Sequence, residues 1–146
     1  MNFTLRPAVE NDYPAIVEMF KEFAHFENLD ERLTNTVDRM KTETEYFNCF
    51  VAMNKELEIV GYATYFFSYF TWTGKSLYMD DLYVREGYRA NGIGKMLLNK
   101  VIEFAKNTGC HKLRWQVSDW NAPAIGFYKS MGAEIDAQER NCDLDL

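Results

Sequence analysis

Met79-Asp-Asp-Leu-Tyr-Val-Arg-Glu-Gly-Tyr-Arg-Ala-Asn-Gly-Ile-Gly-Lys95 is the stretch whose reading decides the fold. Its first half ends a strand-like run, Ser76 to Arg85, and the pattern changes at Gly87. Beyond Gly92 and Gly94, Ile93, Met96, Leu97, Leu98, Val101, Ile102 and Ala105 recur at helical spacing, and Gly109 stands where a C′ glycine belongs. A strand, a glycine turn and a helix in that order aim backbone N–H groups and the positive end of a helix dipole at one spot. That arrangement is an anion cradle, to which Arg89 and Lys95 add charge. A lone GxG also fits a helix start packed closely on its neighbours. The dinucleotide fingerprint is excluded because Leu97 fills its third glycine position, and the spacing is not that of a P-loop.

Upstream, Phe3 to Pro7 alternates and stops at a proline, which predicts a short first strand. Asn11 or Asp12 is a cap for a helix that has Pro14 in its first turn, buries Ile16, Val17, Phe20, Phe23 and Ala24, and runs to about Phe26. A second helix is expected from Thr34-Asn-Thr36, with Val37, Met40 and Tyr46 turned inward. Cys49 to Met53 and Ile59 to Phe70 read as a hairpin around Asn54-Lys-Glu, and Trp72-Thr-Gly-Lys turns the chain into the next strand. Downstream, Leu113 to Val117 is a buried-type strand, Asn121 caps a short helix ending near Gly132, and 133–146 is expected to hold one or two irregular strands. The order βααβββαβαβ predicts an α/β fold, a mixed, largely antiparallel sheet flanked by helices on both faces, in a single domain over 1–146.

Composition narrows the function. The 146 residues carry 16 Lys and Arg against 22 Asp and Glu, so 16 − 22 gives −6, which argues against nucleic acid as a partner. At 47% hydrophobic and 26% charged the chain is globular, and 16% aromatics suggest a core and pocket built from rings. The run Ile59 to Trp72 is too short and too interrupted for a membrane helix, and Met1 to Glu10 lacks the pattern of a secretory signal, so the expected location is the cytoplasm, with no membrane partner. Cys49, Cys110 and Cys142 form no CxxC pair, and His25 and His111 are isolated, so no metal is expected.

Arg89-x-x-Gly92-x-Gly94 after a strand resembles the pyrophosphate loop, R/Q-x-x-G-x-G/A, of the GNAT N-acetyltransferases. Trp72-Thr-Gly-Lys-Ser-Leu-Tyr-Met-Asp-Asp-Leu-Tyr-Val84, Tyr88 to Gly94, and Trp120-Asn-Ala-Pro-Ala-Ile-Gly-Phe-Tyr-Lys-Ser-Met-Gly-Ala133 are together similar to the diamine (spermidine/spermine) and thialysine branch of that family. The resemblance implies acetyl-CoA as co-substrate, a small primary amine as acceptor (polyamine, diamine or thialysine-like), and a homodimer. Leu82, Tyr83 and Val84 would then pair with the pantetheine arm, and Arg89, Ala90, Asn91, Gly92, Ile93, Gly94 and Lys95 would hold the pyrophosphate. Asn121, Ala122, Pro123 and Ala124 would touch the CoA arm, and Tyr128 would be the general acid. Asn121 and Tyr128, seven residues apart, lie on one helical face.

An alkylammonium with a pKa of about 10.4 must lose a proton before it attacks a thioester. Resemblance assigns that step to Asp80, directly or through water, with Asp81 beside it and Phe26, Glu27 and Trp72 around the acceptor. Strand alternation predicts that only one of Asp80 and Asp81 faces the substrate. A bulge within Leu82 to Val84 is expected to free a backbone N–H for the developing oxyanion. Phe70 stands where the diamine enzymes tend to carry an acid, and Glu139-Arg-Asn-Cys142 replaces an acidic-then-Trp tail motif, so shorter acceptors fit as well. No cysteine lies in the three motifs, which favours direct attack in a ternary complex. The rival readings are a GNAT acting on another amino acid, an antibiotic or a protein N-terminus, and a non-catalytic acyl-CoA sensor.

Overall fold

Pro7 has no N–H to give a ladder, and it closes β1 (Thr4–Pro7) at the edge of a five-stranded sheet of order β1-β2-β3-β4-β5. This computed structural model describes residues 2–146, in two compact units that meet in sequence between Trp115 and Gln116. In the first unit β2 (Asn48–Met53), β3 (Ile59–Phe70) and β4 (Gly74–Val84) follow as an antiparallel meander. β5 (Lys112–Arg114) lies parallel to β4, which makes the sheet mixed. It ends at Arg114, short of the Val117 expected from the apolar run.

α1 (Tyr13–Phe26) follows a 3₁₀ turn at Glu10–Asp12 and carries Pro14 in its first turn. Asp12 does not cap it by side chain. Its carboxylate instead takes both guanidinium N–H groups of Arg6, at 2.7 and 2.9 Å, and the Val9 N–H at 2.8 Å. The bidentate bond to Arg6 is the main reason its pKa is lowered. α2 (Val37–Thr42) starts just after Thr34-Asn-Thr36 as expected, with Thr36 Oγ1 accepting the Arg39 N–H at 3.1 Å, but it ends before Tyr46, which lies in a separate 3₁₀ turn and is exposed rather than turned inward. α1 and α2 bury Ile16, Val17, Met19 and Met40 against Cys49, Val51, Ile59, Tyr62 and Tyr83 on one face of the sheet.

α3 (Ile93–Asn107) covers the other face, with Ile93, Leu97, Leu98, Val101 and Ala105 buried and Met96 exposed. Phe104 meets the rings of Phe50, Tyr65 and Phe67. Its first turns come down on Gly61: a Cβ there would lie 3.0 Å from the Tyr83 carbonyl oxygen, 3.4 Å from Leu97 and 3.5 Å from Ile93. The β3–β4 hairpin outruns the rest, because β2 pairs with β3 only as far as Tyr65 while β3 and β4 stay paired to Phe70 and Gly74.

The second unit holds α4 (Ala122–Ser130), capped by Asn121 Oδ1 on the Ala124 N–H at 3.3 Å, with Gly132 in the left-handed region after its end. The strands expected in the tail do not form: 134–146 carry no strand, and although Ala133 to Gln138 and Cys142 to Leu146 alternate, neither run is paired in the five-stranded sheet. No helix among the described residues is long and apolar enough to cross a membrane.

The Gly61 packing is testable. Gly61→Ala is expected to cost about 1–3 kcal/mol in denaturant unfolding through overpacking against backbone. Gly87→Ala, where an added Cβ meets nothing within 4 Å, is expected to be close to neutral.

Candidate active site

The ladder between β3 and β4 slips by one residue at the paired aspartates. Thr64 pairs with Asp81 but Tyr65 pairs with Met79, so Asp80 is an extra residue on β4. This is the bulge expected in Leu82 to Val84, placed instead just before that segment. It breaks the alternation by which Asp80 and Asp81 were to point apart. Without it Asp81 would share the α3 face with Met79; with it Asp81 reaches Tyr62 of the α1 face. The slip is braced by Thr64, whose Oγ1 accepts the Asp81 N–H at 3.0 Å.

Asp81 is half-buried, and Tyr62, fully buried, donates its O–H to Oδ2 at 2.9 Å. Burial pushes the Asp81 carboxyl up to about 6, helped by the charges of Asp80 and Glu27 and opposed by the Tyr62 bond. Asp80 is exposed at the surface, yet partial loss of water raises its pKa as well. Glu27, at the end of α1, is near enough for its charge to be felt at Asp81.

The same end of α1 reaches the glycine turn. Arg89 donates Nε–H to the Val84 carbonyl at 2.9 Å, and its guanidinium carbon lies 5.3 Å from the Phe26 ring centroid and 5.5 Å from that of Tyr83. Phe23 stacks on Tyr83 at 5.3 Å, while Glu22 accepts from the Tyr83 O–H at 3.1 Å and the Arg85 Nε–H at 3.2 Å. Phe26, Glu27, Asp80, Asp81, Tyr83 and Arg89 are thus brought to one corner of the first unit.

Ala90 and Gly92 both have positive φ, 65° and 78°, and between them Asn91 Nδ2 ties back to the Tyr88 carbonyl at 3.0 Å. Strain at a non-glycine such as Ala90 marks a turn held in place by its surroundings. No side chain caps the start of α3, so the N–H groups of Ile93, Gly94 and Lys95 are left for something else to satisfy. A Cβ on Gly92 would meet nothing within 4 Å, which leaves open space before these donors. A diphosphate fits this turn by charge, by donors and by room.

Trp72 stands apart from that corner, 98% exposed at the hairpin turn. In the second unit Asn121 caps α4, Ala122, Pro123 and Ala124 form its first turn, and Tyr128, two turns from the cap, is the buried residue of the helix and lies 5.4 Å, centroid to centroid, from the Phe127 ring. Sequence reasoning missed Tyr62, Thr64 and Glu22; only a pairing register or a tertiary contact marks them. Among the described residues no group of His, Cys, Asp and Glu could hold a metal.

The model of the acetyltransferase (GNAT) family matches residues 13–133. A mouse (Mus musculus) thialysine N-epsilon-acetyltransferase is 37% identical over 141 residues, covering 89% of this chain and 83% of the relative. A human (Homo sapiens) spermidine/spermine N(1)-acetyltransferase-like protein is 34% identical over 90% of this chain and 20% of its own length. Among solved structures, an aminoglycoside acetyltransferase from an uncultured soil metagenomic sample superposes with a TM-score of 0.81 at 22% identity, over 98% of this chain and 97% of that one.

The raised Asp81 pKa has a consequence for stability with a definite sign. The folded chain keeps this proton up to about pH 6, whereas an unfolded aspartate releases it near pH 4, so stability contributed by Asp81 is lost as pH rises through that window. Asp81→Asn, which still offers Tyr62 an acceptor, is expected to melt about 2–4 °C above the parent at pH 8. That gain should vanish below pH 4 in a thermal melt series.

Proposed function

Because the chain belongs to the acetyltransferase (GNAT) family, we propose that it moves an acetyl group from acetyl-CoA to the primary amine of a small polyamine, diamine or thialysine-like acceptor, by direct attack in a ternary complex. Membership of the family makes it an acyltransferase; the donor and acceptor are the proposed part. The observation that carries the reading is the join of an uncapped α3 N-terminus, with Gly92 at φ 78°, to a strand that bears a bulged carboxylate pair. One motif binds an anionic carrier and the other handles a cation's proton. Acetyl-CoA as substrate supplies the thioester and a thiolate that leaves.

The chain's own residues divide the remaining work. The N–H groups of Ile93, Gly94 and Lys95, with Arg89, hold the diphosphate, Leu82 to Val84 present strand backbone to the pantetheine arm, and Asn121 to Ala124 touch the CoA arm. Asp81, poised near neutrality, and Asp80 beside it take the proton from the acceptor ammonium, directly or through water. Glu27 and Phe26 offer a carboxylate and a π-face to the cation. Tyr128 returns a proton to the departing sulfur. A cytoplasmic homodimer is the proposed working form.

Release of free thiol from acetyl-CoA, followed over putrescine, spermidine, thialysine and lysine, tests the reading. Coenzyme A binding without release for any amine would leave an acyl-CoA sensor in its place. Tyr128→Phe is expected to lower kcat by about 10²–10⁴ with little change in KM for acetyl-CoA. Arg89→Ala should do the reverse, raising that KM by about tenfold or more. The pH profile of kcat/KM for the amine is expected to lose activity below about pH 6, where Asp81 gains its proton, and Asp81→Asn should abolish that limb.

A further inference from the structure

Beyond Asp80 the same face of the hairpin carries a cation. Arg114, at the end of β5, pairs in register with Tyr78 of β4, and its guanidinium carbon lies 4.2 Å from the Phe70 ring centroid. Tyr78 in turn stacks on Phe66, its cross-strand partner, at 5.1 Å. Strand alternation puts Phe66, Phe70, Tyr78 and Asp80 on one face, and Lys112 shares the face of Arg114 two residues earlier. Phe70 is the position at which the resemblance predicts an acid along the acceptor path. Here that position is an aromatic ring with a guanidinium on it. Arg114 is exposed, and among the described residues it makes no ion pair and no side-chain hydrogen bond.

We infer that Arg114 receives the carboxylate of an ω-amino acid acceptor and is the residue that sets the choice of such acceptors over polyamines; this deepens the amine acetylation proposed above and rests on it. An ammonium belongs at the Asp80–Asp81 end, and a second ammonium at the Arg114 end meets a like charge. Asp80 and Arg114 are offset by about 7 Å along β4 and about 5 Å across to β5, a span that an amino acid of ornithine or lysine length bridges. The ring of Phe70 shields one face of the guanidinium from water, and the planar fork stays available for bidentate contact with a carboxylate. Tyr78 lies between the two ends electrically: burial is the main cause of its raised pKa, Asp80 adds to the rise and Arg114 opposes it.

The test is a matched panel, ornithine against putrescine and lysine against cadaverine, pairs that differ by the carboxylate alone, with thiol release as the rate and the acetylated product identified by mass. The parent protein is expected to favour the carboxylate-bearing member by about tenfold or more in kcat/KM, through KM. Arg114→Ala should raise KM for the amino acids and lower it for the diamines, and Arg114→Glu should reverse the preference. Arg114→Lys should restore part of it. These opposite movements within one variant separate recognition from a folding defect, which would depress both members together. Parent turnover that favours the diamines, or a ratio unmoved in Arg114→Ala and Arg114→Glu, overturns the assignment of Arg114 while leaving amine acetylation standing. No thiol release with any amine overturns the acetyl transfer and this assignment with it.

Discussion

Strand β4 is asked to serve two faces of the sheet, and one unpaired residue makes that possible. Before Asp80, Leu77 and Met79 are buried on the side that α3 covers. After it, Asp81, Tyr83 and Arg85 work with Tyr62 and Glu22 on the side of α1. A strand with strict alternation would have aimed the Asp81 carboxylate at the apolar underside of α3, where a charge without a partner is costly. The bulge converts a buried position into a functional one, and the Thr64 hydroxyl takes up the amide that the slip displaces.

From that point the electrostatics follow. Asp81 is held between water loss, which favours its acid form, and the Tyr62 hydroxyl, which favours its base form. The balance falls near neutrality, where a carboxylate exchanges protons most usefully. The cost appears as stability lost as pH rises through about 6. Farther along the chain the same strand runs into the turn that opens α3, so the buried carboxylate and the uncapped helix start share one support.

How far the sequence announced all this depended on the range of the physics involved. α3 was readable because a 3.6-residue period and glycine chemistry act locally; Ile93, Leu97, Leu98, Val101 and Ala105 are buried as their spacing implies. Thr36 capping α2 and Asn121 capping α4 are equally local. The bulge is different, because an extra residue on β4 exists only relative to the count of residues on β3. Tyr62 looked like one more core aromatic for the same reason. Asn11 or Asp12 was expected to cap α1, and the Asp12 carboxylate is drawn to Arg6 instead, a contact across the start of the chain that no local rule weighs. Of the residues nominated for the site, those on α1, β4 and the glycine turn gather at one corner of the first unit, while Trp72 stands in solvent.

The unequal lengths of the strands leave one further mark. Past Tyr65, β3 has no strand neighbour on its outer side, so the ladder of the far part of the hairpin is continued only by a three-residue β5. Amides from Phe66 to Phe70 and Gly74 to Tyr78 can exchange with solvent through local fraying that leaves the central ladder intact. The end of the hairpin around Phe70 is therefore expected to open before the central ladder around Asp81.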